Sequence, residues 1–220
     1  MPVENVVLDY FDAEQDDFVA LASSLTEEQW ATKSLCEGWT VRDAVVHAAW
    51  HIHLTPLSVA QDLSGYLVAE AKHGDWRFLR EVDSKLDRYL LARYGAISNE
   101  RLVHWLGSPA RRNANHLGEL MIHQQDVRRP LGLAREIPGD RLSWLLSYCM
   151  TSAGNRNAGH KPRDRAEGVR LVATDVDWSA GEGPEVRGPG EAILMTIAGR
   201  PGVIDELSGP GVAVLANRAP

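Results

Sequence analysis

Cysteine is scarce in this chain: Cys36 and Cys149 are the only two in 220 residues. That is too few for a disulfide framework, neither belongs to a Cys-x-x-Cys pair, and a reducing compartment fits. Basic charge is not in excess either. The formal net charge is -7 and the isoelectric point is near 5.6, which argues against a nucleic-acid surface, where phosphates need clustered Lys and Arg. Two local pairs, Arg111-Arg112 and Arg128-Arg129, read as solvated surface or helix-end charge. No run of about 18 apolar residues occurs anywhere. The opening MPVENVVLDYFDAEQDDF carries acids where a signal peptide would carry bases and an apolar stretch. The expectation is a cytoplasmic protein that meets neither nucleic acid nor membrane. A P-loop, a Rossmann glycine pattern and an internal repeat are all absent.

What is present is ordinary globular composition, with 44% hydrophobic and 24% charged residues. The length suits one large domain or two unequal ones. Periodicity near 3.6 dominates the first two thirds. Val7, Tyr10, Phe11, Phe18, Leu21, Ala22 and Leu25 make an amphipathic stripe, with Glu14 read as a helix edge turned to water in preference to a carboxylate pointing into an internal polar cavity. Thr40 and Asp43 start a second helix as a capping-box variant, whose stripe is Val41, Val45, Ala48 and Ile52. Asp75 to Tyr94 reads as a third helix, and Ser98 caps a short one through Leu106. Pro138 opens another helix through about Asn157. The turn-rich stretch from Ala153 to Gly168 reads as a linker. Beyond it the period falls to two: Gly168 to Trp178 is predicted as a strand, Ala192 to Gly199 as a helix, and Val212 to Arg218 as a final strand.

The centre of the chain is the stretch Asn113 to Gly132, NANHLGELMIHQQDVRRPLG. Leu117, Leu120, Met121, Gln124 and Val127 share a helix face there, and His116, Glu119, His123 and Asp126 form a polar strip beside it. Glu119 and His123 are four residues apart, so they stack on one face and can hold one divalent ion. The motif alone is weak, because solvated helices produce such pairs often. His47 and His51 lie together at the edge of the earlier stripe. They are either half-buried structural histidines or ligands, and as an i, i+4 pair they compete with Glu119 and His123 for that role.

Several segments together are similar to a known family. Cys36-Glu37-Gly38-Trp39-Thr40-Val41-Arg42-Asp43 with His47, then Glu119-Leu120-Met121-Ile122-His123 running into Asp126-Val127-Arg128-Arg129-Pro130-Leu131-Gly132, resemble the mycothiol-dependent maleylpyruvate isomerase family of the DinB-like superfamily. Gly188-Pro189, Leu194 to Arg200 and Leu207-Ser208-Gly209 are similar to its small second domain. The resemblance implies a mainly α architecture: a DinB-like four-helix bundle over 1–158, then a small α+β domain over 165–220. It also implies a divalent metal, zinc or else nickel, held by His47, Glu119 and His123. Three N/O ligands leave one tetrahedral position open, as in catalytic zinc sites. In the family that position serves the thiol of mycothiol, kept as thiolate, which adds to a small electrophilic, carboxylated substrate in isomerisation or S-transfer. Such a site needs a cation for the carboxylate, and Arg200 is the candidate, with an ion pair between the domains as its alternative role. The rival functions are a metal-dependent hydrolase using metal-bound water and a non-catalytic metal- or small-ligand-binding protein.

Overall fold

The computed structural model describes residues 3–53, 55, 57, 58, 60–62, 64, 82–157 and 161–218. Helices α1 (Val3–Ser24), α2 (Glu27–Ala31), α3 (Val41–Ile52), α4 (Val82–Tyr94), α5 (Asn99–Leu106) and α6 (Ala114–Arg128) come first. They are followed by α7 (Gly139–Cys149), α8 (Ser152–Asn157) and α9 (Pro162–Arg165), then strands β1 (Arg170–Ala173), β2 (Ser179–Ala180) and β3 (Glu185–Gly188), α10 (Gly190–Ile197), a 3-10 turn (Pro201–Glu206) and α11 (Val212–Ala216). The protein is therefore mainly helical with a small three-stranded sheet near its C-terminus, as expected. Residues 75–81 of the helix expected from Asp75 lie outside the described residues; α4 supplies the remainder.

Local chemistry sets the helix starts. Thr40 accepts the Asp43 N–H and Asp43 returns the bond to the Thr40 N–H, so the expected box forms, and Thr26 with Gln29 builds a second one before α2. Ser98 accepts from Arg101, and Asn113 accepts from His116. The helix expected to run from Pro138 to Asn157 is two. Thr151 accepts the Gly154 N–H with its hydroxyl and restarts the chain as α8, after α7 has ended at Cys149. The expected linker thus contains two short helices on either side of residues 158–160, which are outside the described residues.

Helix α6 is the spine of the bundle, packed between α1 and α3, with α5 bridging those two. Leu117, Leu120 and Met121 are fully buried in it, each stabilising the fold by about 1.5–3 kcal/mol. Val41, Val45, Ala48 and Ile52 of α3, and Phe11 and Phe18 of α1, complete this part of the core. Glu14 corrects the sequence reading. It is fully buried, because Arg135 and Arg141 each place a terminal nitrogen 2.6 Å from its Oε2 and Gln124 donates to Oε1 at 3.2 Å. A carboxylate in the core is tolerable only with such partners, and both arginines are more than 120 residues away in sequence.

In the C-terminal segment β1 pairs antiparallel with β2 and parallel with β3, Leu171 opposite Val186. Leu171 and Val186 are buried with Ile193, Leu194 and Met195 of α10, which packs in turn on α7 and α6. The apolar core is contiguous through both parts. The final strand expected over Val212 to Arg218 is instead α11. Gly211 donates to the Glu185 carbonyl at 2.8 Å, and the chain coils from there with Val214 and Leu215 both bonded back to it.

Candidate metal centre

The site is built where α3 and α6 face each other. The loop before α3 turns at Gly38, whose φ of +77° suits glycine, and Leu35 donates its N–H to the Asp126 carbonyl at 3.1 Å, fastening this loop to α6. His47, two turns into α3, then meets Glu119 and His123. Glu119 Oε2 lies 3.6 Å from His47 Nε2 and 3.3 Å from His123 Nε2, and one donor atom from each of the three falls within 4.8 Å of the others. A tetrahedral ion with Zn–N and Zn–O bonds of about 2.0–2.1 Å spaces its ligands about 3.4 Å apart. The donor set and its spacing fit such an ion. His47 and Glu119 retain 13% and 16% side-chain exposure against 5% for His123, so the set opens to solvent on the His47 and Glu119 side.

Electrostatics favour positive charge between these groups. Burial would raise the Glu119 pKa, but His51, His123 and His47 outweigh it and hold the carboxyl well below its usual range. Burial likewise disfavours charge on His123, yet hydrogen bonds to Asp126, Cys36 and Glu119 raise its pKa well above 6.5. His123 Nδ1 lies 2.9 Å from Asp126 Oδ2, so one proton stays on Nδ1; the second, on Nε2 toward Glu119, is the one that an ion taking Nε2 as its ligand would displace, in the usual carboxylate–histidine arrangement behind a metal.

Asp126 is itself held from behind. It is fully buried; Arg200 Nε donates to Oδ1 at 2.9 Å and a terminal Arg200 nitrogen to Oδ2 at 2.5 Å, while the Cys36 thiol donates to Oδ2 at 3.1 Å. Burial would raise the Asp126 pKa, but the hydrogen bond with His123 and the Arg200 guanidinium outweigh it and keep the carboxyl strongly acidic. Cys36, His123 and Asp126 form a second group with metal-ligand spacing. The Arg200 guanidinium, 3.5 Å from Cys36 Sγ as well, already supplies the positive charge there, and the Nδ1–H of His123 is engaged. The first group is the better cation site.

Arg200 thus departs from the role expected of it. Only 4% exposed, it spends its fork on Asp126 and its remaining terminal nitrogen on the Ala198 carbonyl at 2.6 Å. The carboxylate it binds is the protein's own, which is the ion-pair alternative. The polar strip on α6 is also not solvated, since His116, His123 and Asp126 are all buried. His116 Nδ1 reaches the Arg111 carbonyl at 2.5 Å. His51 stands beside the triad, its ring centroid 5.0 Å from that of His47. Burial lowers its pKa to about 4, so it is neutral at pH 7, and its buried Nδ1 has no hydrogen-bond partner among the described residues. Trp39 lies over the ligands, 4.9 Å from the His47 ring and stacked at 6.2 Å on His123. The sequence marked Trp39 and Cys36 only as parts of a motif, not the position of Trp39 over the ligands or the Cys36–Asp126 contact; for Asp126 the i+3 spacing from His123 was the available signal.

The model of the mycothiol maleylpyruvate isomerase N-terminal domain matches residues 11–128. The chain belongs to this family. The match runs from Phe11, within α1, to the last residue of α6, hence over all three residues of the candidate triad, and stops short of the segment that carries Arg200. No curated protein and no solved structure matches the chain. No helix among the described residues is long and apolar enough to cross a membrane.

Proposed function

We propose that His47, Glu119 and His123 hold one divalent metal ion, zinc or else nickel, and that the protein is a mycothiol-dependent isomerase or S-transferase acting on a small electrophilic, carboxylated substrate. The observation that carries this reading is the convergence of two imidazoles and one carboxylate, at the spacing of a tetrahedral ion, inside the domain that the family model matches. When bound, such an ion lowers the pKa of a thiol ligand so that it is thiolate near neutral pH.

The chain's own residues do the rest. As ligands the two imidazoles would bring no charge and Glu119 one negative charge, which against a divalent ion would leave net positive charge to favour an anionic sulfur. Asp126 holds the Nδ1 proton of His123, fixing the ring so that Nε2 faces Glu119. Arg200 and Cys36 fix Asp126 in turn, and this makes Arg200 a positioning residue rather than the dock for substrate. Neutral His51 offers a hydrogen-bonding nitrogen beside the triad, and the Trp39 indole covers one side of it and limits water. The domain division at 1–158 and 165–220 belongs to the same reading: the bundle carries the ligands, and the C-terminal segment contributes Arg200 as their brace.

The test is a thiol-dependence assay on zinc-loaded protein with maleylpyruvate and mycothiol, followed by ultraviolet absorbance. Turnover that needs both thiol and metal is expected. Substrate consumption without any thiol would replace this reading with hydrolysis by metal-bound water, and tight binding without turnover would replace it with ligand capture.

A further inference from the structure

On the side of α6 away from the triad, a cavity of about 280 Å³ lies between the end of this helix, the loop 132–135 and α10. Gln125, Arg128, Arg129, Arg135 and Glu191 line it. The helical rotation from Glu119 to Arg128 is about 180° at 100° per residue, so this cavity and the candidate metal centre do not share an α6 face. At this size it suits a compact ligand rather than a cofactor.

Its polar groups are under-used in a consistent way. Arg128 spends Nε on Gln124 Oε1 at 2.8 Å and, among the described residues, has no carboxylate partner; its two terminal nitrogens are without a protein acceptor. The Arg135 side chain is only 7% exposed and binds Glu14 through its terminal nitrogens, yet its buried Nε has no hydrogen-bond partner among the described residues. Gln125, 4% exposed, also has an unpartnered buried amide oxygen, and an amide can present either end. The one lining carboxylate, Glu191, is already engaged by Arg129, which also binds Glu206 at 2.5 Å. Burial and the nearby Arg135 charge disfavour protonated Arg128, against a weaker attraction from Asp17 and Glu14. Glu14 is already shared by Arg135 and Arg141, and a buried donor without an acceptor, such as the Arg135 Nε–H, is rare in native proteins.

We propose that this cavity binds a compact oxyanion of phosphate or carboxylate type, received by the Arg128 fork and the Arg135 Nε–H. The ligand would tie α6 to the loop 132–135 beside α10, and hence the bundle to the C-terminal segment. Planar guanidinium forks suit such anions because two N–H groups meet two oxygens.

The test is calorimetric titration of the full-length protein with inorganic phosphate and, separately, acetate, each at constant ionic strength set with chloride. Two variants accompany the wild type. Arg128→Met keeps the aliphatic stem and removes the fork. Ala134→Glu puts a carboxylate at the exposed rim without touching the arginine network, and it keeps the proposal testable if the first variant does not fold. Saturable 1:1 binding of one of the two anions is expected, weakened by about tenfold or more in each folded variant, the scale of losing one charge-assisted contact. Which anion binds more tightly names the source class. Absence of saturable binding by either anion in wild type, or unchanged affinity in the variants, overturns the proposal. Phosphate held by a metal ion at the triad would give that second outcome, with binding lost instead in Glu119→Ala.

Discussion

Replacing Asp126 with asparagine tests the brace behind the metal centre at a single atom. In wild type Oδ2 accepts from the Cys36 thiol and Arg200 and faces His123 Nδ1, while Oδ1 accepts from Arg200 Nε. An amide offers one acceptor and one donor. Whichever way it turns, an NH2 group faces an N–H, of Arg200 on one side or of His123 on the other, and the Arg200 charge loses its buried counter-ion. Breaking such a pair costs about 3–5 kcal/mol. At about 2–4 °C per kcal/mol for a chain of this length, the melting temperature should fall by about 6–20 °C. Losing the carboxylate behind a ligating histidine should also weaken zinc binding about 10–100-fold. Thermal denaturation gives the first quantity and competition with a chromophoric chelator the second. Arg200→Met serves as partner in a double-mutant cycle: because Arg200 acts through Asp126, the double variant should lose clearly less than the sum of the two. Zinc affinity within twofold of wild type in Asp126→Asn, or strict additivity in the cycle, would refute the brace.

Three further outcomes follow from other parts of the molecule. Glu14→Gln leaves Arg135 and Arg141 crowded with only partly exposed Asp17 for compensation, so urea denaturation should show a loss of about 3–5 kcal/mol; a change under about 0.5 kcal/mol would mean that the carboxylate is solvated after all. Burial pushes the Cys149 thiol up to about 12, and mass spectrometry after iodoacetamide treatment of folded protein should find Cys149 unmodified until urea is added. In metal-free protein His51 titrates near 4 folded and near 6.5 unfolded, so between those values the unfolded chain binds the extra proton and stability falls as pH drops. The contribution is complete above about pH 6.5 and about 2 kcal/mol of it is gone at about pH 5; a His51→Gln variant with the same pH dependence as wild type would remove His51 as its source.

The helices were legible where their cause is local. Thr40 with Asp43, the Ser98 cap and the apolar stripes of α1 and α3 are spacings within a few residues, and the structure realises each of them. Glu14 was misread because nothing within a few residues reveals Arg135 or Arg141. The same holds for the strip on α6: periodicity leaves open whether His123 and Asp126 face solvent, and the Cys36 loop and Arg200, brought in from distant parts of the chain, cover them. Val212 to Arg218 shows a different limit. A short apolar run fits strand and helix equally by pattern, and the Gly211 bond to Glu185 that coils it comes from another element. For the candidate site, the Glu119–His123 pair was visible as spacing; selecting His47 over His51 as its companion rested on the resemblance. The structure brings a donor atom of His47, not of His51, within 4.8 Å of both.

Metal content of tag-free protein, measured by elemental mass spectrometry on wild type beside His47→Ala and Glu119→Ala, tests the central claim most directly. About one equivalent of zinc or nickel in wild type, largely lost in both variants while their helical circular dichroism is retained, is the result the proposal predicts, since removing one of three proposed ligands would leave two. Wild-type protein that stays metal-free after incubation with zinc, or folded variants that keep a full equivalent, would contradict it.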